Sequence, residues 1–175
     1  LKPALEGRSP ELRKAAVAAL GRIGVPAALG LIFVMTNDPV PTVRFEAIRC
    51  LGRREGRPFV NALISKMEDA TLGRVNYIET LGRIGDRAAL PALKMQLGSG
   101  DSAIRGATLT ALARIEGERA IPLLERFIRS SRERIRNQAI DALGETGSPR
   151  AVRLLATTLA RTRETARRRV IRAIG

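Results

Sequence analysis

The chain has 175 residues and a net charge of +14, from 31 Lys and Arg against 17 Asp and Glu. It is 45% hydrophobic but only 3% aromatic, without Trp or His. With no His and a single Cys, the usual general-base, nucleophile and metal-ligand arrangements are excluded. No apolar run reaches the roughly 18 residues that a membrane span requires.

In chain order, Ser9-Pro10-Glu11 predicts a helix start, with a capping hydroxyl followed by a proline in the first turn. Gly24 predicts its stop. Leu29, Leu31, Ile32, Phe33, Val34 and Met35 follow as a helix that is apolar on every side, so Phe33, Val34 and Ile64 are expected to form an exposed strip. Another domain of the parent protein, or a second copy in self-association, would cover that strip. Val40-Pro41 and Asp101-Ser102 open further helices, and Pro58, Pro91 and Pro122 fall near the starts of others. Gly56, Gly85, Gly117 and Gly147 are read as stops. Residues 133–145 predict one amphipathic helix with Ile135, Ala139, Ile140, Ala142 and Leu143 inward. Thr146-Gly147-Ser148-Pro149 breaks it, and a second helix over 151–159 buries Val152, Leu155 and Leu159.

A register runs through these elements. Arginine recurs at Arg13, Arg44, Arg74, Arg105, Arg136 and Arg167, with gaps of 31, 30, 31, 31 and 31. Eight residues after each stands Gly21, Gly52, Gly82, Ala113, Gly144 or Gly175, always preceded by Leu or Ile. A fixed period of this length marks stacked repeats, in which neither helix of a pair can bury its stripe alone. The units run over residues 9–38, 39–69, 70–100, 101–131 and 132–160, with partial units at 1–8 and 161–175. Together they form a single array without strands, expected to be part of a longer chain. Cys50 occupies a position held elsewhere by Ala19, Ala111, Ala142 and Ala173, and reads as a small buried residue.

Val43-Arg44-Phe45-Glu46-Ala47-Ile48-Arg49-Cys50-Leu51-Gly52, and the run from Tyr77-Ile78-Glu79-Thr80-Leu81-Gly82-Arg83-Ile84-Gly85-Asp86 to Leu93, resemble HEAT repeats. They are similar to the short variety named after phycobilisome lyases, V-R-x-x-A-x-x-A-L-G-x-I-G-D-x-x-A-x-P-x-L. Tetratricopeptide and ankyrin repeats need signatures that a chain without Trp and His lacks. The resemblance implies an all-α fold, a right-handed α-solenoid whose arginine-bearing helices line the concave face. It also implies that the recurring arginines form a structural ladder, bonding the turn between helices and an acid such as Asp38, Asp69 or Asp101. Departures at Gly73, Tyr77, Thr108 and Arg54-Glu55 are expected to disturb only local packing.

Counting from the ladder, positions one, two and five beyond each arginine are free to vary. Phe45 and Val75 there read as exposed apolar residues beside Arg49 and Glu79, the makeup of an anchor with a polar rim. With Arg83 and Arg114 they form the expected partner-binding face of a non-catalytic, cytoplasmic scaffold, whose partner is another protein or another domain of its own chain.

The alternative is a phosphate backbone gripped by Arg22, Arg53, Arg83 and Arg114, a column repeated at roughly 10 Å, the spacing of stacked helices. Arg168, Arg169 and Arg172 in the basic end would extend that grip, since residues 150–175 hold eight Arg against Glu164. A third reading is a subunit of a chromophore-lyase-like enzyme. No cofactor is implied. Glu46, Glu79 and Asp141 would be the available bases, but they lie in separate units.

Overall fold

The computed structural model describes residues 2–52, 54–70, 72–159, 171 and 173, and no strand occurs among them. The basic end, with Arg167, Arg168, Arg169 and Arg172, lies outside the described residues, as does Arg53. The chain divides into two compact units, Leu1–Ala88 and Ala89–Gly175. The dividing line falls between the two helices of the third expected repeat.

The first unit contains α1 (Lys2–Leu5), α2 (Pro10–Ile23), α3 (Pro26–Val34), α4 (Pro41–Cys50), α5 (Val60–Asp69) and α6 (Arg74–Ile84). The start of α2 is fixed as its sequence dictates: Ser9 is extended, its hydroxyl accepts the Leu12 amide, and Pro10 fills the first turn. Helices α2 and α4 pack together, as do α4 and α6, and α5 and α6. Val17, Ile32, Val43, Ile48, Leu51, Leu63, Met67, Ile78 and Leu81 are buried between them. Each such side chain contributes about 1.5–3 kcal/mol of transfer free energy, so the apolar stripe outweighs the modest helix propensity of the β-branched residues in it.

The second unit contains α7 (Leu90–Gln96), α8 (Ser102–Glu116), α9 (Ile121–Ile128), α10 (Glu133–Gly144) and α11 (Pro149–Leu159). Its core gathers Leu109, Ile121, Leu124, Ile140, Leu143 and Leu155, with Ala113, Ala139 and Ala142. The small side chains let the α8 and α10 backbones approach, and these two helices pack together.

The ladder arginines of the described helices share one geometry. Each donates to the carbonyl oxygen six residues behind it: Arg13 to Gly7 at 2.8 Å, Arg44 to Asp38 at 2.8 Å, Arg74 to Glu68 at 3.3 Å, Arg105 to Ser99 at 3.0 Å and Arg136 to Ser130 at 3.1 Å. A guanidinium thereby satisfies turn carbonyls that neither helix can reach. The acidic partner differs from expectation. The Asp38 carboxylate turns away from Arg44 to Arg13, near the start of its own repeat, at 2.7 and 3.0 Å, and accepts the Val40 amide at 2.8 Å. Arg44 donates, among the described residues, only to backbone oxygens, those of Asp38 and Pro39. Among the described residues neither Arg74 nor Arg105 reaches a carboxylate: Arg74 donates to the Met67, Glu68 and Ala70 carbonyls, and the acid before Arg105, Asp101, caps the Ala103 amide of α8 instead.

Three further expectations are corrected. Val152, expected inward on α11, is exposed, while Leu155 of the same helix is buried. Gly56 is not a left-handed stop, since α4 ends at Cys50 and Gly56 lies buried within the 3₁₀ segment Arg54–Phe59. Its missing side chain allows close approach to the Leu51 carbonyl, which a Cβ would overlap. The same segment carries Phe59 across Phe33, with ring centroids 4.8 Å apart. Phe33 is consequently half-buried; Ile64 is half-buried as well, and of the expected strip only Val34 is exposed.

Candidate interaction groove

Once the stripes of α2, α4 and α6 are buried, their outward positions remain. Lys14 from α2, Thr42, Phe45, Glu46 and Arg49 from α4, and Asn76, Glu79, Thr80 and Arg83 from α6 line one hollow of about 300 Å³. Phe45, Arg49, Glu79 and Arg83, read from the sequence as neighbours on one face, meet here. Three cations and two carboxylates share the walls, so the hollow is polar and of mixed sign around one aromatic ring.

Its charges are locally ordered. The Glu46 carboxylate receives Arg49 Nε at 3.0 Å and, at the second oxygen, Arg49 Nη2. The Arg49 guanidinium holds the Glu46 carboxyl below its usual range, outweighing burial, with smaller help from the Cys50 thiol and Lys14. The same contact raises Arg49. Arg83 Nη2 donates to the Thr80 hydroxyl at 3.1 Å.

The apolar anchor is not as expected. Phe45 and Val75 are half-buried rather than exposed, and Val75 does not line the hollow. The Phe45 ring lies over Gly73, where a Cβ would come within 2.8 Å of Phe45 Cζ and closer still to Cε1. Gly73, at φ 76, is also the left-handed cap that starts α6. The glycine that breaks the repeat pattern therefore seats the aromatic ring that faces the groove.

A second hollow of about 390 Å³ is lined by Ala18, Gly21, Arg22, Arg49, Cys50, Gly52 and Arg83. It shares Arg49 and Arg83 with the first. Arg114, the remaining expected member of the face, belongs to the second unit and is bonded to Glu145 at 2.8 Å. That ion pair removes one member from the proposed basic ridge. Thr42 and Thr80 were missed by sequence reasoning. Thr80 stands in the column otherwise held by alanine and Cys50, so its hydroxyl was the available signal.

A family model of HEAT repeats matches residues 1–71, 57–137 and 101–175. The chain belongs to the HEAT-repeat family. Its all-helical architecture is that of HEAT and armadillo-type repeat solenoids. It is similar to a chain in the complex of CpcE and CpcF of phycocyanin lyase from Nostoc sp. PCC7120, at 26% identity and a TM-score of 0.68, covering 96% of this chain and 72% of that one. A designed armadillo repeat protein matches in fold at 13% identity and a TM-score of 0.51, over 98% and 96% of the two chains. Human deoxyhypusine hydroxylase does so at 21% identity and a TM-score of 0.50, over 95% and 68%. No curated protein matches the chain in sequence. Among the described residues no helix is long and apolar enough to cross a membrane.

Proposed function

We propose that this HEAT-repeat chain is a non-catalytic scaffold that holds a protein partner in the groove of Phe45, Arg49, Glu79 and Arg83. The observation that carries this reading is the convergence of outward side chains from three helices on one hollow, at positions that core packing leaves free. An aromatic ring ringed by polar groups of both signs suits a polypeptide, which offers apolar and charged side chains together. The likeness to a chain of a two-protein lyase complex supports a protein partner.

The test is a peptide-display selection on the immobilised chain, counter-screened on Asn76→Arg. Phe45 is a poor site for this substitution because its ring also packs on Gly73. Enriched peptides should lose binding to Asn76→Arg, which places a long cation in the hollow while its backbone stays helical. Peptides that bind both chains equally, or no enrichment at all, would defeat the proposal.

A further inference from the structure

Counted from the ladder, the outward positions of α9 and α11 pair off one period apart: Arg119 with Arg150, Pro122 with Arg153, and Arg126 with Thr157. All six residues are exposed. Arg119 stands in the 3₁₀ turn Gly117–Ala120 that leads into α9. In the first unit an acid twelve residues beyond the ladder arginine, Asp86, lies 3.7 Å from Arg57 and answers its charge. In the second unit that register holds Gly117 and Ser148. The serine ties the two helix starts together: its hydroxyl donates to Glu118 Oε2 at 2.9 Å and accepts the Arg150 amide at 3.1 Å. Arg119, next to Glu118, and Arg150 therefore stand at adjoining ends of neighbouring helices.

The carboxylates of this face are already engaged. Residues 117–129 and 148–159 hold five arginines against two glutamates. Glu125 accepts Arg129 Nη2 at 2.6 Å, and Glu118 accepts the Ser148 hydroxyl. Among the described residues no carboxylate pairs with Arg119, Arg126, Arg150 or Arg153, so the face keeps an excess of positive charge. These four guanidiniums lie on a grid of about 10 Å, set by the spacing of stacked helices and by the helix between Arg119 and Arg126. Such a field draws a polyanion, and planar donor forks match phosphate oxygens.

We infer that the outward face of α9 and α11 binds the phosphate backbone of duplex nucleic acid through Arg119, Arg126, Arg150 and Arg153, without reading its sequence. The outward positions are Arg, Pro and Thr, with no aromatic ring on which unpaired bases could stack. The Thr157 hydroxyl is spent on the Leu154 carbonyl at 2.8 Å. A protein partner needs an apolar anchor and a lipid surface needs inserted apolar side chains. Among the described residues of these two helices the one large apolar side chain exposed is Val152. A phosphate backbone needs only the charges. This face shares no residue with the Phe45 groove, so the scaffold reading neither supports it nor falls with it.

The experiment measures binding of the whole chain to a fluorescent duplex of about 20 base pairs, by anisotropy, from about 50 to about 200 mM salt. Four phosphate contacts should make affinity fall about a hundredfold over that range, equally for two unrelated sequences. Two double variants each remove one arginine per helix: Arg119→Gln with Arg150→Gln, and Arg126→Gln with Arg153→Gln. Each should weaken the duplex at least about tenfold and lower the log–log salt slope by about two. A control of equal charge, Arg57→Gln with Arg87→Gln, should leave the slope unchanged. Peptides selected on the groove should bind both α9–α11 variants as they bind the unaltered chain.

Equal losses from the control pair would reduce the effect to net charge and overturn the inference. So would an unchanged slope in both α9–α11 variants. Polyglutamate, oligothymidylate or phosphatidylserine vesicles that bind more tightly than the duplex, and lose binding with the same substitutions, would assign the face to that partner instead. If one double variant fails to fold by circular dichroism, the other decides.

Discussion

In the first compact unit Arg83, nine residues beyond a ladder arginine, is held by Thr80 above Gly52 and faces two hollows. In the second unit Arg114 holds the same register and is neutralised by Glu145. The outer faces differ in the same sense. On the outward side of the ladder-bearing helices, the hollow of Phe45 and Arg49 in the first unit draws on α2, α4 and α6, whereas that of Glu133, Arg134, Asn137, Gln138 and Asp141 in the second comes from α10 alone; the hollow of the second unit that does draw on several helices, α9, α10 and α11, is lined by Ile128, Arg136 and Leu154. The repeat dictates the buried stripe in both units and leaves the outward positions unconstrained. A binding face arises only where substitutions on several helices converge.

The largest effect expected from breaking this comparison is at two glycines. Gly73→Ala should destabilise the chain by about 2–3 kcal/mol, because an L side chain is strained at positive φ and its Cβ collides with the Phe45 ring. Gly106→Ala in α8 should be neutral or stabilising by up to about 1 kcal/mol. Its Cβ would meet no backbone but only the flexible Gln138 side chain, Nε2 at 2.7 Å and Cδ and Cγ at 3.1 and 3.3 Å, which must shift and give up its bond to the Ser102 carbonyl. Urea denaturation of both variants decides between these outcomes; equal losses would remove the claim that Gly73 seats the ring.

Next is Asp38→Asn, which removes the carboxylate bonded to Arg13 and should cost about 2 kcal/mol at neutral pH. Hydrogen bonds from Arg13, then from the Val40 amide, hold the Asp38 carboxyl below its usual range in the folded chain, against the cost of burial. Its contribution is therefore complete above the ordinary aspartate range near about pH 4 and is lost as pH falls through the depressed folded value. Denaturation between neutral and acid pH should show Asp38→Asn converging on the unaltered chain as the pH falls. The smallest effect belongs to Arg114→Gln. Its pair with Glu145 is about a third exposed on each side, so a loss of about 0.5 kcal/mol that shrinks with added salt is expected. A loss as large as that of Asp38→Asn would contradict the view that this pair merely neutralises a surface.

Much of the fold was legible because its signals are periodic. The ladder arginines, the Leu-Gly step and the Ser9-Pro10 start each act through a backbone rule that neighbours cannot override. The acidic partners were less legible: Asp38 lies six residues before Arg44 but bonds Arg13, and a bond that joins the two ends of one repeat is invisible to short-range spacing. Phe45 was placed on the right face, but its burial depends on the missing side chain of Gly73, some thirty positions away in the next unit. Thr80 could have been found, since a hydroxyl in an alanine column asks for a buried acceptor. Which arginine it would hold was not readable without the fold.

The most direct measurement compares matched charge reversals at one repeat position, five beyond the ladder: Glu79→Arg in the first unit and Asp141→Arg in the second. Affinity for a peptide selected on the unaltered chain is read by fluorescence anisotropy. The groove reading predicts that Glu79→Arg weakens binding about tenfold or more while Asp141→Arg changes it less than about twofold. Equal losses, or a loss confined to Asp141→Arg, would contradict it.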